Sequence, residues 1–261
     1  MATYLDRILE RHREVAATDR RSLATLITDA TAMPPARPFA AALRTVSAGG
    51  ELAVISEIKR RSPSKGALNA DLEPGLLGGA YAAGGAAALS VLTDEEFFGG
   101  SVTDLQAARA AVALPVLRKD FTVGSRDVCD ARLMGADCVL LIAAALAPAE
   151  LAELHLLANQ IGLDVLVEIH DEDELAAALA AGAGLIGVNQ RDLVTFKVDH
   201  ERAVRMATAI PSTAVKVAES GVRDAADARQ LRAAGYDAVL VGESLVTATD
   251  PAEVLRAMRG V

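Results

Sequence analysis

Ala53-Val54-Ile55-Ser56-Glu57-Ile58-Lys59 is an apolar, partly β-branched run that ends in a carboxylate and an ammonium. Such runs read as buried strands. Side chains alternate faces along a strand, so Glu57 and Lys59, two apart, point the same way. The same construction recurs down the chain. Lys119-Asp120 closes the run beginning at Pro115, and Glu168 sits in Val165-Leu166-Val167-Glu168-Ile169. Asn189-Gln190-Arg191, Glu219-Ser220-Gly221 and Gly242-Glu243-Ser244 close three more. One architecture gathers such scattered polar segments. In a (β/α)8 barrel, parallel strands deliver their C-terminal ends to a single face.

Eight strand candidates follow as apolar runs, at residues 53–58, 87–92, 115–119, 137–142, 164–168, 185–189, 214–218 and 237–241. Ala- and Leu-rich segments with helical spacing lie between them. Capping signals open helices at Ser101-Val102-Thr103-Asp104, Asp171-Glu172-Asp173-Glu174 and Thr249-Asp250-Pro251. Gly135, Gly182 and Gly235 stand where helices give way to the next strand. Strand, helix, glycine, strand, repeated, means parallel pairing with right-handed crossovers. An open doubly wound sheet is the competitor, and chemistry at nearly every strand end favours the closed barrel. The expected fold is α/β, a TIM barrel forming a single domain over residues 1–261, with an additional N-terminal helical segment over residues 1–50. In that segment Tyr4, Leu5, Ile8 and Leu9 have helical apolar spacing, and Met33-Pro34-Pro35-Ala36-Arg37-Pro38 is extended and helix-breaking. It is expected to pack on the barrel, over its mouth; a partly mobile arm is the alternative.

The 261 residues match the roughly 250 of a barrel of this kind. Hydrophobic residues make up 52% with no Trp, so the core must be aliphatic. The apolar run 138–146 falls short of the ~20 residues of a membrane span, and no basic region precedes an apolar stretch at the N-terminus, so no signal peptide is expected. A net charge of −9 argues against nucleic acid or an anionic membrane as partner. An anionic small substrate remains open because Lys59, Arg60, Arg61 and Lys65 fall within seven residues. Cys129 and Cys138 make no disulfide framework, and His12, His155, His170 and His200 have no metal-ligand spacing. The expectations are a cytoplasmic location, a monomer and no metal.

Several strand-end residues carry chemical capability. Glu57 can hold Lys59 charged and in place, or the two can be a solvated ion pair. Lys119 can donate a proton or clamp an oxyanion, or it can bridge to its neighbour Asp120. Glu168 in an apolar run is costly unless functional or paired. Asn189 can orient a hydroxyl and Arg191 can clamp a carboxylate, or both can be ordinary loop residues. Ser220-Gly221 and Gly242-Glu243 lie in the two loops where barrels often bind phosphate through backbone N–H groups, and a tight turn is the plainer alternative. His170 could stand behind Glu168 or be a solvated loop residue. Cys129 in a helix and Cys138 at a strand start are poor nucleophiles.

Glu57-Ile58-Lys59-Arg60-Arg61-Ser62-Pro63-Ser64 closely resembles the signature of the indole-3-glycerol-phosphate synthase family. Similar stretches follow in order. They are Ser90-Val91-Leu92-Thr93 with Phe97-Phe98-Gly99-Gly100-Ser101, Leu117-Arg118-Lys119-Asp120-Phe121, Val167-Glu168-Ile169-His170, Gly187-Val188-Asn189-Gln190-Arg191-Asp192-Leu193, Ala218-Glu219-Ser220-Gly221 and Val241-Gly242-Glu243-Ser244-Leu245. The resemblance spans nearly the whole chain and includes the N-terminal extension. It implies closure of 1-(2-carboxyphenylamino)-1-deoxyribulose 5-phosphate to indole-3-glycerol phosphate with loss of CO2 and water, without cofactor or metal. Lys119 would protonate the ketone oxygen, and Lys59 and Glu168 would serve as acid and base in either order. Glu57 would position the lysines, while Glu219 and Asn189 would contact hydroxyls. Phe98 and Leu140 would pack the aromatic ring. Ser62 or Lys59, with Ser220, Gly221, Gly242 and Glu243, would hold the phosphate. Arg191 would meet the anthranilate carboxylate or tie Glu219.

Two departures stand out. Gly75, Gly78 and Gly79 sit in the first barrel helix, where each costs about 1 kcal/mol against Ala. Glu243 stands where some relatives carry Ser. Rival readings are a barrel like phosphoribosylanthranilate isomerase, which needs a Cys or Asp pair not found at these strand ends, and a non-catalytic phosphosugar-binding barrel, which has no use for Lys119 and Glu168.

Overall fold

The computed structural model describes residues 3–62, 65–192 and 194–260; Pro63 and Ser64 of the basic loop, and Leu193, lie outside them. Eight parallel strands close on themselves: β1 (Ala53–Ile58), β2 (Ala88–Leu92), β3 (Val116–Lys119), β4 (Cys138–Ile142), β5 (Asp164–Ile169), β6 (Leu185–Asn189), β7 (Val215–Glu219) and β8 (Ala238–Val241). β8 returns to β1 with Val241 beside Ser56, which removes the open sheet from consideration. The barrel register sets Leu92 beside Lys119, Ile142 beside Glu168 and Asn189 beside Glu219.

Most strand limits differ from expectation by one residue. Asp137 and Asp237 precede their strands, and their carboxylates are engaged below the barrel. Asp137 accepts from the Val116 amide at 2.9 Å and Asp237 from the Lys216 amide at 2.9 Å. Glu219, placed after its strand by the sequence reading, is its last residue.

Alternation along the strands divides the core in two. Ala53, Ile55, Leu117, Leu140, Leu166, Val217 and Leu240 fill the interior. Val54, Val91, Val139, Leu141, Val167, Val188 and Val239 pack outward beneath the helices. The expected caps are made: Ser101, Asp171 and Asp250 accept from the amides of Asp104, Glu174 and Glu253 at 3.1, 2.9 and 3.0 Å. The glycine-rich helix Pro74–Gly84 is formed, and two of its glycines have packing reasons. Gly78 is buried against Leu89 and Ala108, and a Cβ at Gly84 would lie 2.8 Å from the Ala252 Cα.

Three helices precede β1: α1 (Tyr4–Thr18), α2 (Leu23–Ala32) and α3 (Phe39–Ala48). α1 begins with a reciprocal cap between Thr3 and Asp6 and places Tyr4, Leu5 and Ile8 at the barrel mouth. α2 lies beside helix Ser125–Leu133, and residues 33–38 run on without helix as their prolines dictate. α3 closes the opposite end. Phe39 and Leu43 are fully buried and belong to the interior cluster. Aspartates at the strand starts hold α3 there. Asp137 accepts from the Arg37 amide at 2.7 Å, Asp164 from the Ala40 amide at 2.9 Å, and Asp237 from the Ser47 hydroxyl at 2.7 Å. Pro38 offers no side-chain cap, so the Asp164 carboxylate serves as one from outside. With Phe39 as floor of the barrel core, Phe39→Ala is expected to lower unfolding free energy by about 3–5 kcal/mol in urea titration. A loss below about 1 kcal/mol would show that the floor bears little of the packing.

Candidate active site

Lys119, the last residue of β3, points into the barrel mouth. Its Nζ donates to Glu168 Oε2 at 2.8 Å and to Glu219 Oε2 at 3.1 Å. Glu168 and Glu219 are each 1% exposed. Asn189 Nδ2 donates to Glu168 Oε1 at 2.9 Å. On β1, Lys59 bonds directly to Glu57, which is buried, so this ion pair is not a solvated one. The alternative bridge from Lys119 to Asp120 is not how the site is built. Arg118 and Asp120 flank Lys119 and pair with each other at 2.9 Å, which leaves Asp120 engaged elsewhere.

The charges at the centre constrain one another. Burial alone would lower the Lys119 pKa, but Glu168, Glu219 and Glu57 outweigh it and hold the ammonium charged well above its ordinary range. Burial raises the Glu219 carboxyl; Lys119 pulls it down, the Glu168 charge adds to the rise, and the net shift is upward. Burial would raise Glu168 too, but Lys119, His170 and the Asn189 amide carry it below the usual carboxylate range. Two buried carboxylates thus differ in their hold on a proton because Glu168 has more partners.

Around this centre lies a cavity of about 450 Å³. It is lined by all fourteen residues singled out from the sequence: Glu57, Lys59, Ser62, Phe98, Lys119, Leu140, Glu168, Asn189, Arg191, Glu219, Ser220, Gly221, Gly242 and Glu243. One side is apolar, with Phe121 6.1 Å from Phe98 between ring centroids and Ile142 and Leu240 nearby. The other side is a turn in which Ser220 and Gly221 adopt φ of 64° and 76°. A left-handed Ser is uncommon and needs support. Gln190 supplies it, donating from Nε2 to the Ser220 carbonyl at 2.8 Å. Lys65 Nζ reaches Glu243 at 3.3 Å across the rim. Arg191 donates its backbone N–H to Asn189 Oδ1 at 2.9 Å and its guanidinium to the Phe196 carbonyl at 3.1 Å.

A family model described as indole-3-glycerol phosphate synthase matches residues 5–258 of this sequence. The chain belongs to that family. It is 53% identical over 240 residues to indole-3-glycerol phosphate synthase 2 of Streptomyces coelicolor, covering 92% of each. It is 46% identical over 249 residues to indole-3-glycerol phosphate synthase of Chlorobium phaeovibrioides, covering 95% of this chain and 96% of that one. Membership makes the chain a carboxy-lyase of tryptophan biosynthesis. Among solved structures, a thiamine phosphate pyrophosphorylase from Pyrococcus furiosus superposes with a TM-score of 0.60 at 17% identity, over 79% of this chain and 93% of that one. At that identity the likeness is one of fold alone. Among the described residues no helix is long and apolar enough to cross a membrane.

In this family member α1 is tied to the strand ends by a cluster that the sequence reading missed. His12 Nε2 lies 3.0 Å from Asp94 and 3.8 Å from Asp120. His12 follows Tyr4 and Ile8 at intervals of four, the spacing that marks one helix face and could have signalled it. The three residues could suggest a cation site. Every carboxylate oxygen there already meets a protein donor, however. Asp94 takes the amides of Phe97 and Phe98 besides His12, and Asp120 takes Arg118, Thr93 and the Phe121 amide. His170 stands behind Glu168, with Nε2 3.9 Å from Oε1 and Nδ1 held by Glu174 at 3.1 Å. Burial raises the pKa of both Cys129 and Cys138, consistent with inert thiols.

The His12 cluster sets a pH window. Burial would lower the His12 pKa, but its bond to Asp94 and the Asp120 and Asp94 charges raise it despite the nearby Arg118. Its stabilisation is therefore complete below the ordinary value of about 6.5 and is lost as pH rises through the raised one. Asp94 is lowered: burial opposes ionisation, and His12 and two backbone amides prevail. The lower edge of the window is therefore the acid range. Protection of α1 amides from hydrogen exchange, corrected for intrinsic rates, is expected to fall between about pH 6 and about pH 9. The fall should vanish in His12→Asn. Equal protection at both pH values in the wild type would remove His12 as the tie.

Proposed function

We propose that this chain closes 1-(2-carboxyphenylamino)-1-deoxyribulose 5-phosphate to indole-3-glycerol phosphate, CO2 and water with the residues that line the cavity. The observation that carries the assignment of roles is a buried ammonium held charged by carboxylates, between an apolar wall and a glycine turn. The ring carbon bearing the carboxylate forms a bond to the ketone carbon, and the carbonyl electron pair moves to oxygen. Lys119 donates to that oxygen as charge develops, the step where a fixed donor helps most. The bond to the carboxylate then breaks, CO2 departs, and its electron pair restores the aromatic ring. Dehydration follows. An acid protonates the new hydroxyl, which leaves as water, and a base takes a proton from the adjacent methylene carbon to complete the indole. Lys59 and Glu168 fill these two roles, in either order. Glu57 positions Lys59, and Asn189 and Glu219 contact the substrate hydroxyls.

Phe98 and Leu140 hold the ring, with Phe121 completing that wall. Arg191 faces the carboxylate that is lost. Ser62, Ser220, Gly221, Gly242 and the Glu243 backbone receive the phosphate, with Lys59 in reach. Ser220 and Gly221 take the left-handed turn that turns successive N–H groups toward an anion. No metal or cofactor is needed for any step. We further propose that residues 1–261 act as one barrel domain with residues 1–50 as its N-terminal extension, as a monomer in the cytoplasm.

Given the carboxyphenylamino-deoxyribulose phosphate in the presence of EDTA, the protein is expected to produce a rise in indole fluorescence. Folded protein that binds the substrate without any rise would favour the phosphosugar-binding alternative. Lys119→Ala should reduce kcat by about 10²–10⁴-fold while substrate affinity changes little. Wild-type turnover in that variant would remove Lys119 from the donor role. Gly242→Val has two expected effects, because a Cβ there would overlap the Glu57 carboxylate as well as crowd the phosphate. Both kcat and phosphate affinity should fall; an effect on affinity alone would leave Glu57 out of the chemistry.

A further inference from the structure

Gly187 lies within β6 on the face that looks into the barrel, with Asn189 as the next inward residue. Its ladder partners are Glu168 on β5 and Val217 on β7. A Cβ added to it would overlap Glu219 Oε1 and lie 3.1 Å from the Glu219 carboxyl carbon and 3.2 Å from Leu166 Cδ1. That Oε1 is buried and has no hydrogen-bond partner among the described residues. Its place is therefore set by the space above Gly187 rather than by a donor. Glu168 and Glu219 stand on strands with β6 between them, about 10 Å apart at ordinary strand spacing. To share one ammonium, the two side chains must lean toward each other over β6. Whatever residue β6 presents at that level has to leave the room free, and only glycine does.

We propose that Gly187 is a positioning residue for the ring-closing site: its missing side chain is the seat of the Glu219 carboxylate and permits Glu168 and Glu219 to converge on Lys119. The inference rests on the roles given to those three residues above. The same construction recurs where β8 ends, since a Cβ at Gly242 would overlap Glu57 Oε1. Each of these two inward carboxylates thus has a glycine on, or just past the end of, the neighbouring strand. The upward pKa shift of Glu219 agrees with a carboxyl confined to a pocket where one oxygen meets no donor.

The test is a double-mutant cycle between Gly187→Ala and Glu219→Ala, read by steady-state kinetics and thermal unfolding. In the otherwise wild-type chain, Gly187→Ala is expected to lower kcat by at least about tenfold, with KM changed by less than about threefold. In the Glu219→Ala background the same change should cost less than about twofold, because the methyl group takes the vacated space. Unchanged kcat in Gly187→Ala, or the same fractional loss in both backgrounds, would overturn the proposal. Should Gly187→Ala fail to fold, the double variant is expected to fold as Glu219→Ala does. Its failure would assign the collision to Leu166 and also overturn the seat. Thermal unfolding keeps the outcomes separate if ring closure is absent from the wild type. A Tm lowered by Gly187→Ala only when Glu219 is present supports the seat even then.

Discussion

An ammonium drawn out of water must be surrounded by compensating charge, and the mouth of this barrel is arranged around that requirement. Moving such an ion into a protein interior costs several kcal/mol even after relaxation. Lys119 meets the cost with two direct carboxylate partners and a third nearby charge. The carboxylates carry the same penalty and are not equally relieved. Glu168 gains Asn189 and stays ionised, whereas Glu219 has one oxygen without a donor and holds its proton more tightly. The site therefore sets one buried ammonium between two carboxylates of unequal proton affinity.

Room for these groups comes from the β6 and β8 glycines, and seclusion comes from the N-terminal helices. α3 fills the floor with Phe39 and Leu43, held by aspartates that follow the barrel circumference. α1 contributes Tyr4, Leu5 and Ile8 to the wall and joins the strand ends through His12. The extension thus contacts both ends of the barrel, and its tie at the mouth runs to Asp120, the neighbour of Lys119. Exposed pairs such as Arg13 with Glu150, 3.1 Å apart, add little to this attachment. Tyr4, edge-on to Phe97 at 5.9 Å between ring centroids, and the half-buried His12 carry it.

Much of this was legible in the chain. Apolar runs with polar ends gave the eight strands, glycines and capping residues gave the helix limits, and all fourteen residues given a site role line the cavity. Such signals are local, with periods of two and 3.6 residues, and survive in any context that buries them. The floor contacts of Asp137, Asp164 and Asp237 were not legible, because their partners lie in the segment before β1. His12, Gln190 and Gly187 could not be weighed from the sequence, since their importance lies in what stands opposite them.

By itself, then, the sequence determined the repeat, the residue types at the strand ends and the face on which they gather. The tertiary structure decided the partners. Lys119 chooses Glu168 and Glu219, which lie 49 and 100 residues away, over the adjacent Asp120. Arg118 and Thr93 occupy the Asp120 carboxylate, and barrel closure brings β3, β5 and β7 around one axis. Neighbours in the chain were separated and distant carboxylates joined because the closed sheet, rather than the distance along the chain, sets which charges can meet.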